Sequence, residues 1–267
     1  MRAMDFDPEL VNAPFRMQPG LRRLGEGARH LTALAPGSAL YREKQAVLAA
    51  GGSRLVVPGF DPAPALSAIE DQAAAEGIAF GHTPVELAFE EDFAVLDGDT
   101  GTLPWLCVCV PSHWAPEDKL GRDFTQVHAP VADNTTLLAA AGHLVKLATS
   151  GERWERHVWT VTPSPRHDQH PRRHSREPWP TTEDPDAFAR GCWLRAERQT
   201  FFPVGRGTRQ AVFTIRVMLA PLVRVFDSDD KRRRLHDAIA SMSDAVLAYK
   251  GLAPAREPLL RWSRNAG

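Results

Sequence analysis

The order of apolar and polar residues along the chain predicts a mixture of helices and strands. Apolar residues recur every three or four positions in several stretches, as expected for helices that bury one face. Two of these stretches stop at Gly77 and Gly251, and glycine commonly follows the last turn of a helix. Helices are therefore expected near residues 40–50, over 63–76, from 133 or 134 to 148, and from 229 or 230 to 251.

Other stretches have the composition and spacing of β-strands. Residues 192–202 and 210–219 form a predicted hairpin, because a glycine-containing turn at 205–208 separates them. Further strands are expected over residues 85–96, 103–110 and 158–162. The helices are grouped between neighbouring antiparallel strands and do not alternate regularly with them. This order predicts an α+β fold.

The chain is long enough for one substantial core, and a single domain over residues 1–267 is expected. Residues 1–60 are rich in proline and glycine and predict a segment that wraps around the domain. Residues 163–186 combine several prolines with charged residues and predict a long surface loop. A C-terminal helix and tail are expected over residues 228–267.

The composition excludes several classes of protein. The 32 basic and 33 acidic residues give a net charge of −1, which offers no basic field for nucleic acid. The apolar runs are too short for a membrane span, and the first residues have no apolar signal region. The three cysteines are expected to be free thiols in a reducing compartment. A soluble cytoplasmic protein is expected, with no membrane or nucleic-acid partner.

His128 is the first candidate for chemistry, because it stands beside Pro130 in a turn before a helical segment. Imidazole is a common ligand of metals and of haem iron. From spacing alone, a hydrogen-bonded structural or surface histidine is the more common case. Cys107 or Cys109 would be a competing iron ligand, but each lies in an apolar run where a small buried side chain is expected.

An ordered series of short blocks resembles the haem-dependent oxidative N-demethylase-like family. The blocks extend from about residue 14 to 222 and appear in the family's order. They are PFRM at 14–17, GL at 20–21, EEDF at 90–93, Leu96, PSHW at 111–114, KLGR at 119–122, HAPV at 128–131, Arg156, Trp159, LRAERQT at 194–200 and FTIR at 213–216. No single block is specific, but the ordered set is hard to obtain by chance.

The resemblance implies a haem b in a PAS-like fold, an antiparallel sheet flanked by helices, here with N-terminal and C-terminal extensions. It places the proximal iron ligand at His128. It implies that O₂ and a small methylated amine react at the haem and release formaldehyde. It also implies that electrons come from FMN, a [2Fe–2S] cluster and NADPH on separate reductase subunits. The chain is also expected to be a possible oligomer.

Three charged residues are candidates for catalysis at that haem. Arg198 and Arg216 fall on neighbouring strands of the predicted hairpin, where each could donate to a haem propionate or to oxygen at the iron. The alternative is a cross-strand or solvent-facing charge, with Glu197 as a candidate partner. Glu197 could itself hold a substrate ammonium, because a buried carboxylate needs a positive partner.

A loop close to His128 offers candidates for holding the haem. His113, Lys119 and Arg122 surround Trp114, and two propionates need cationic or N–H donors. A solvated charged loop is the default alternative. His167, His170 and His174 suggest zinc at first sight, but Pro171 interrupts them and the segment is not recognisably helical.

The chain departs from the family at Ala132, at Val158 and in the turn over residues 201–210. The last two changes could alter the pocket or the partner surface, so haem binding transfers better than substrate does. No nucleotide-binding glycine motif occurs, and three cysteines cannot ligate an all-cysteine [2Fe–2S] cluster. If the protein activates oxygen reductively, its electrons must therefore arrive from another polypeptide or domain. A gas or redox sensor with a PAS-like haem pocket, or a haem-free interaction protein, are the alternative functions.

Overall fold

The computed structural model describes residues 6–264 and is organised around one antiparallel sheet. Its strands are β1 (Arg22–Arg23), β2 (Arg54–Val56), β3 (Glu91–Asp97), β4 (Trp105–Cys107), β5 (Trp154–Thr162), β6 (Trp193–Pro203) and β7 (Gln210–Pro221). They lie in the order β1–β5–β6–β7–β3–β4–β2. The long β6–β7 hairpin therefore occupies the centre of the sheet.

Helices flank this sheet on both sides, which confirms the predicted α+β class. In the described part of the chain they are α1 (Ala39–Ala49), α2 (Ala63–Ala75), α3 (Val85–Ala88), α4 (Phe124–His128), α5 (Thr135–Ala139), α6 (Ala141–Ala148), α7 (Pro185–Arg190), α8 (Leu222–Val225), α9 (Asp229–Ala240), α10 (Asp244–Lys250) and α11 (Arg256–Arg264). Helices α4 to α6 connect β4 with β5, and α8 to α11 follow β7.

The pairing register determines which side chains share a face of the sheet. Glu197 of β6 lies opposite Val158 of β5 and Val217 of β7. Because alternate residues of a strand point to opposite faces, Arg156 shares the face of Val158 and Glu197. We call this the site face. Arg198, the next residue of β6, points to the opposite face.

The opposite face carries the two larger apolar cores. One packs β5, β6 and β7 against the C-terminal helices, and buries Trp159, Leu194, Met218, Leu235, Ile239, Leu259 and Trp262. The other packs β3 and β4 against α2 and α3, around Ile69 and Phe93. A fully buried side chain of this size stabilises the fold by about 1.5–3 kcal/mol. These cores hold the sheet rigid behind the site face.

The site face is covered by smaller apolar clusters that leave the β5–β6 region polar. Helix α1 packs Val47 against Ile215 and Val217 near the middle of the sheet. Helix α6 packs Ala148 against Phe201 at the end of β6. Between these contacts, the outward-facing residues of β5 and β6 include arginine, glutamate and glutamine. The polar side chains of β5 and β6 on the site face thus lie between two apolar clusters.

The structure shortens two of the predicted strands. Residues 85–88 form helix α3, and the strand begins only at Glu91. β4 ends at Cys107, because the next donors bond elsewhere: Val108 N donates to Ser53 O, and Val110 N donates to the Asp92 carboxylate. Tertiary partners therefore end this strand.

Two predicted helices are interrupted. The 134–148 segment divides at Ala140 into α5 and α6. The C-terminal stretch divides between α9 and α10, because the Ser243 side chain caps a new helix start by accepting from Val246 N. Strand β5 begins at Trp154, earlier than expected, and α11, β1 and β2 were not predicted.

A buried ion pair joins α1 to the sheet. Lys44 Nζ lies 3.0 Å from Asp92 Oδ1, with both side chains almost completely buried. The ammonium also donates to Phe89 O and Glu91 O, at 3.1 and 2.7 Å. Burial alone would lower the pKa of Lys44, but the Asp92 charge outweighs it and raises the pKa. The pair fixes α1 over β3 with its donors satisfied.

We expect Lys44→Met to lower the free energy of unfolding by about 3–5 kcal/mol, because Asp92 would stay buried without a counter-charge. Chemical denaturation measures this loss. The double variant Lys44→Met/Asp92→Asn should lose less than Lys44→Met alone, since no buried charge remains. Lys231→Met, which removes an exposed pair with Asp227, is the control and should change stability by less than about 0.5 kcal/mol. Equal losses in the single and double variants would contradict this account.

Candidate functional site

His128 is the last residue of α4, and the helix holds its ring in a defined orientation. Asp123 and Gln126 form a capping box at the start of this helix. One turn later, His128 Nδ1 lies 2.8 Å from Phe124 O. The imidazole also stacks on the Phe124 ring, with centroids 4.1 Å apart. Backbone and aromatic contacts thus fix the imidazole before any ligand binds.

The hydrogen bond defines the tautomer of His128. A carbonyl oxygen only accepts, so Nδ1 carries the proton and Nε2 carries the lone pair. No hydrogen bond to Nε2 is formed by residues 6–264. Burial lowers the pKa of His128 to about 4; the charges of Arg156 and Lys119 act in the same direction, and the Phe124 bond opposes them. The ring is therefore neutral near pH 7, with one nitrogen free to act as a ligand.

Arg156 of β5 lies on the site face, and one of its buried donors has no hydrogen-bond partner. Its Nε atom is buried without a hydrogen bond. Within the described residues, no carboxylate forms an ion pair with this guanidinium. Burial lowers the pKa of Arg156, while Glu197 and Tyr249 raise it. A buried cationic donor without a partner is unusual in a folded chain.

Glu197 is the carboxylate of the site face, and a chain of hydrogen bonds fixes it. It is 8% exposed. The hydroxyl of Ser112 donates to Glu197 Oε1, and Gln199 Nε2 donates to Oε2 at 2.7 Å. Arg195 Nε in turn donates to Ser112 Oγ at 2.7 Å. Burial lowers the pKa of Arg195 to about 10, with Glu197 opposing the shift. The carboxylate is thereby held in one position.

Helix α10 places two more side chains, one of them the partly exposed Tyr249, at the edge of β5. Lys250 Nζ donates to Trp159 O at 2.6 Å and lies over the rings of Phe15 and Trp159. Burial lowers the pKa of Lys250 to about 8, Glu197 opposes this, and Arg156 adds to it. Burial and Glu197 raise the pKa of Tyr249. We call His128, Arg156, Glu197, Tyr249 and Lys250 the site cluster.

The structure does not bring the three predicted catalytic residues into one site. Glu197 belongs to the site cluster, whereas Arg198 and Arg216 lie opposite each other on the other face of the sheet. Arg198 Nε donates to a Glu155 oxygen at 3.0 Å, and Arg216 Nε donates to a Glu90 oxygen at 2.7 Å. The two arginines therefore form charge pairs with neighbouring carboxylates, as the alternative held, but their partners are Glu155 and Glu90 and not the suggested Glu197.

The four candidates of the predicted haem loop are also separated. Lys119 lies closest to His128, and its Nζ donates to Val127 O at 2.8 Å. Trp114 packs in the apolar clusters of the site face. His113 has a left-handed φ of 58°, and partial burial, Arg176 and Arg195 lower its pKa to about 4. Arg122 is exposed.

The histidine-containing loop is more buried than predicted. Asp168, Gln169 and His170 are buried, so the prediction of a surface loop was wrong for this part. Each histidine there meets a carboxylate: His167 with Glu43, His170 with Glu117, and His174 with Asp168. Among the described residues, no group of three His, Cys, Asp or Glu could hold a metal. His167 and His170 thus anchor the loop to the rest of the domain, and His174 braces the loop internally.

The cysteines remain buried thiols. Cys107, Cys109 and Cys192 are all free. Burial raises the pKa of each, to about 12 for Cys192. A thiol that resists deprotonation is a poor iron ligand, because the thiolate is the form that binds metal. Their surroundings therefore favour His128 over a cysteine as the candidate ligand.

Sequence reasoning gave no role to several residues of this region. Arg156, Ser112 and Gln199 each lie in a block that resembles the family, which was the available signal. Tyr249 and Lys250 follow the apolar stripe of the C-terminal helix and lie outside those blocks. Nothing local in the sequence shows that α10 bends around β5, so only the three-dimensional fold reveals them.

A comparison with known protein families gives a match over the part of the chain that contains the site cluster. A family model described as "Haem-dependent oxidative N-demethylase, alpha subunit-like" matches residues 84–260, more than half of the chain. The matched range includes every member of the site cluster. Among the described residues, no helix is long and apolar enough to cross a membrane.

Because folding lowers the pKa of His128, the free energy of unfolding should depend on pH. An imidazole whose pKa falls to about 4 on folding contributes stability that is complete above its unfolded pKa, about 6.5. This contribution should decrease as the pH is lowered from about 6.5 towards 4. An NMR pH titration of the histidine resonances measures the pKa of His128 in the folded protein. The His128 resonance is assigned by its absence in His128→Gln. A resonance that titrates near 6.5 would contradict the half-buried, neutral ring.

Proposed function

The chain belongs to the haem-dependent oxidative N-demethylase, alpha subunit-like family, and on that premise we propose that it is the haem-binding catalytic subunit of an enzyme that demethylates a small amine. The substrate is a methylated amine, the oxidant is O₂, and the released carbon is formaldehyde. The cofactor is haem b, held by His128.

His128, Arg156 and Lys119 have the chemistry that such a cofactor requires. His128 presents a neutral ring with its lone pair on Nε2, and its Nδ1–H is bonded to a backbone carbonyl. This second bond is the usual way in which a ligand histidine is oriented and its basicity set. Arg156 and Lys119, whose charges both act on His128, are cations of the kind that meet propionates.

The haem, when bound, supplies the redox chemistry of the reaction. The residues of the chain bind and orient the amine. Glu197 accepts the N–H of the methylated amine, and the donors from Ser112 and Gln199 hold the carboxylate in place. Apolar packing by Val217 and Ile215 behind it limits the access of water.

Electrons come from other polypeptides. The three cysteines are buried, lie outside the site cluster and retain their protons. They therefore do not ligate an iron–sulfur cluster. The family description names an alpha subunit, which fits a complex with separate reductase subunits. FMN, [2Fe–2S] and NADPH would then lie on those partners.

One observation carries this proposal: His128 Nδ1 donates to Phe124 O, and no hydrogen bond from the described residues occupies Nε2. The same arrangement also sets the experiment, because His128 can be changed without altering the sheet.

We expect the protein reconstituted with haem to show a Soret band and to release formaldehyde from dimethylamine when reductant and O₂ are supplied. His128→Ala should lose haem affinity and formaldehyde release together. Glu197→Gln should keep the Soret band but raise KM for the amine about tenfold or more, because a charged acceptor is lost. Absorption spectra and a formaldehyde assay measure these changes.

The matched controls remove similar groups elsewhere. Glu152→Gln removes an exposed carboxylate and should leave KM unchanged. Formaldehyde release that is the same in wild type and His128→Ala would contradict the proposal. A Soret band without any turnover, for any methylated amine, would favour a sensor.

A further inference from the structure

Lys250 differs from the other lysines of the chain in what surrounds its amine. The chain has only five lysines among its 32 basic residues. Lys44 and Lys231 form ion pairs with carboxylates, and Lys146 is exposed. Within the described residues, Lys119 and Lys250 form no ion pair and donate instead to backbone carbonyls. Of these two, Lys250 is the one whose amine packs against aromatic rings.

Two aromatic rings form a corner around the amine of Lys250. Phe15 and Trp159 meet edge to face, with their centroids 5.8 Å apart. Lys250 Nζ lies 5.0 Å from the centroid of Phe15 and 5.6 Å from that of Trp159. One N–H donates to Trp159 O at 2.6 Å. A lysine ammonium has further N–H donors, and these have no hydrogen-bond acceptor among the described residues.

Lys250 also lines a small cavity beside β5. Thr160, Thr162, Glu177 and Trp179 form other parts of the lining. The cavity volume is about 20 Å³, which is room for little more than one water molecule. A molecule that reacts with Lys250 in this place must therefore be very small.

These surroundings favour the neutral, nucleophilic form of the amine. Burial penalises the charge and lowers the pKa of Lys250 to about 8; Glu197 opposes this shift, and Arg156 adds to it. At pH 7 about a tenth of such amines are neutral, against fewer than about one in a thousand for a lysine with an ordinary pKa. Lysines desolvated in apolar surroundings are the ones that form Schiff bases with carbonyl compounds.

We infer that Lys250 forms a Schiff base with formaldehyde, the smallest aldehyde. The lone pair of Nζ adds to the carbonyl carbon and gives a carbinolamine, whose hydroxyl carries a proton from the amine. Solvent supplies a second proton, the oxygen leaves as water, and the product is the methylene-imine –NH⁺=CH₂. No electrons are gained or lost. This inference rests on the proposed function for the source of the aldehyde, since formaldehyde is the carbon product of that reaction.

The aromatic corner distinguishes this product from the other one-carbon adduct of a lysine, the carbamate formed with CO₂. The faces of aromatic rings attract cations. The methylene-imine keeps a positive charge over Phe15 and Trp159, and its remaining N–H can still donate to Trp159 O. A carbamate would place a negative charge against the same ring faces. The contacts of Lys250 therefore favour the aldehyde.

Reductive trapping tests this inference on the purified full-length protein. The protein is incubated at pH 7 with formaldehyde and cyanoborohydride, which reduces each methylene-imine to an N-methyl group. Peptide mass spectrometry follows the methylation of each lysine with time. Lys250 should be methylated at least about tenfold faster than Lys231 or Lys146, because more of its amine is neutral. Phe15→Leu should slow the methylation of Lys250 about threefold, because one ring face and part of the apolar cover are lost.

Two controls separate this reactivity from a general change in the protein. Phe80→Leu removes a half-buried ring from a different apolar cluster and should leave the rate at Lys250 unchanged. Thermal unfolding of each variant checks that the fold is retained. If Phe15→Leu does not fold, the ranking of the lysines in wild-type protein still decides the matter.

The possible results are distinguishable. Methylation of Lys250 no faster than that of Lys231 overturns this inference and leaves the proposed function standing, because added formaldehyde requires no turnover. A carbamate on Lys250, detected by ¹³C NMR with labelled bicarbonate, together with slow methylation, assigns the amine to CO₂ and also overturns it. Rapid methylation of Lys250 in a protein that releases no formaldehyde from any methylated amine supports this inference and contradicts the proposed function.

Discussion

Alternation along β5 and β6 is the constraint on which the site depends. Successive residues of a strand point to opposite faces, so Glu197 and Arg198 cannot serve the same ligand. The strand register then places Glu197 opposite Val158, on the same face of the sheet as Arg156. The opposite face is filled by the C-terminal helices, which bury Trp159 and Met218. That core stabilises the sheet and leaves the site face free to carry polar groups.

Hydrogen bonds hold Glu197 of the site face in place, whereas one buried donor of Arg156 lacks a partner. Glu197 is held by a chain of donors that begins at Arg195, and the buried Lys44–Asp92 pair fixes α1 over the neighbouring strand. His128 is oriented by a backbone bond within its own short helix. Arg156, in contrast, has a buried donor without a partner. Other buried polar atoms of the described residues also lack a hydrogen-bond partner, among them Arg256 Nε and Gln169 Oε1, but Arg156 shares its face of the sheet with Glu197.

Local sequence signals predicted the elements whose partners are near in the chain. The β6–β7 hairpin follows from its alternation and glycine turn, and α2 follows from its apolar spacing. The end of β4 did not follow, because the Asp92 carboxylate takes the Val110 N–H. His128 was found by resemblance, since its spacing alone is ambiguous. The contribution of α10 was not predictable, because Tyr249 reaches the site only through the packing of the whole C-terminal region.

The account depends on His128 as the ligand of haem iron, and resonance Raman spectroscopy of the ferrous protein tests this most directly. An iron–histidine stretching band that shifts on ¹⁵N-histidine labelling is expected in wild type. It should disappear in His128→Gly and return when free imidazole is added. A band that persists unchanged in His128→Gly would show that another residue binds the iron and would contradict the account.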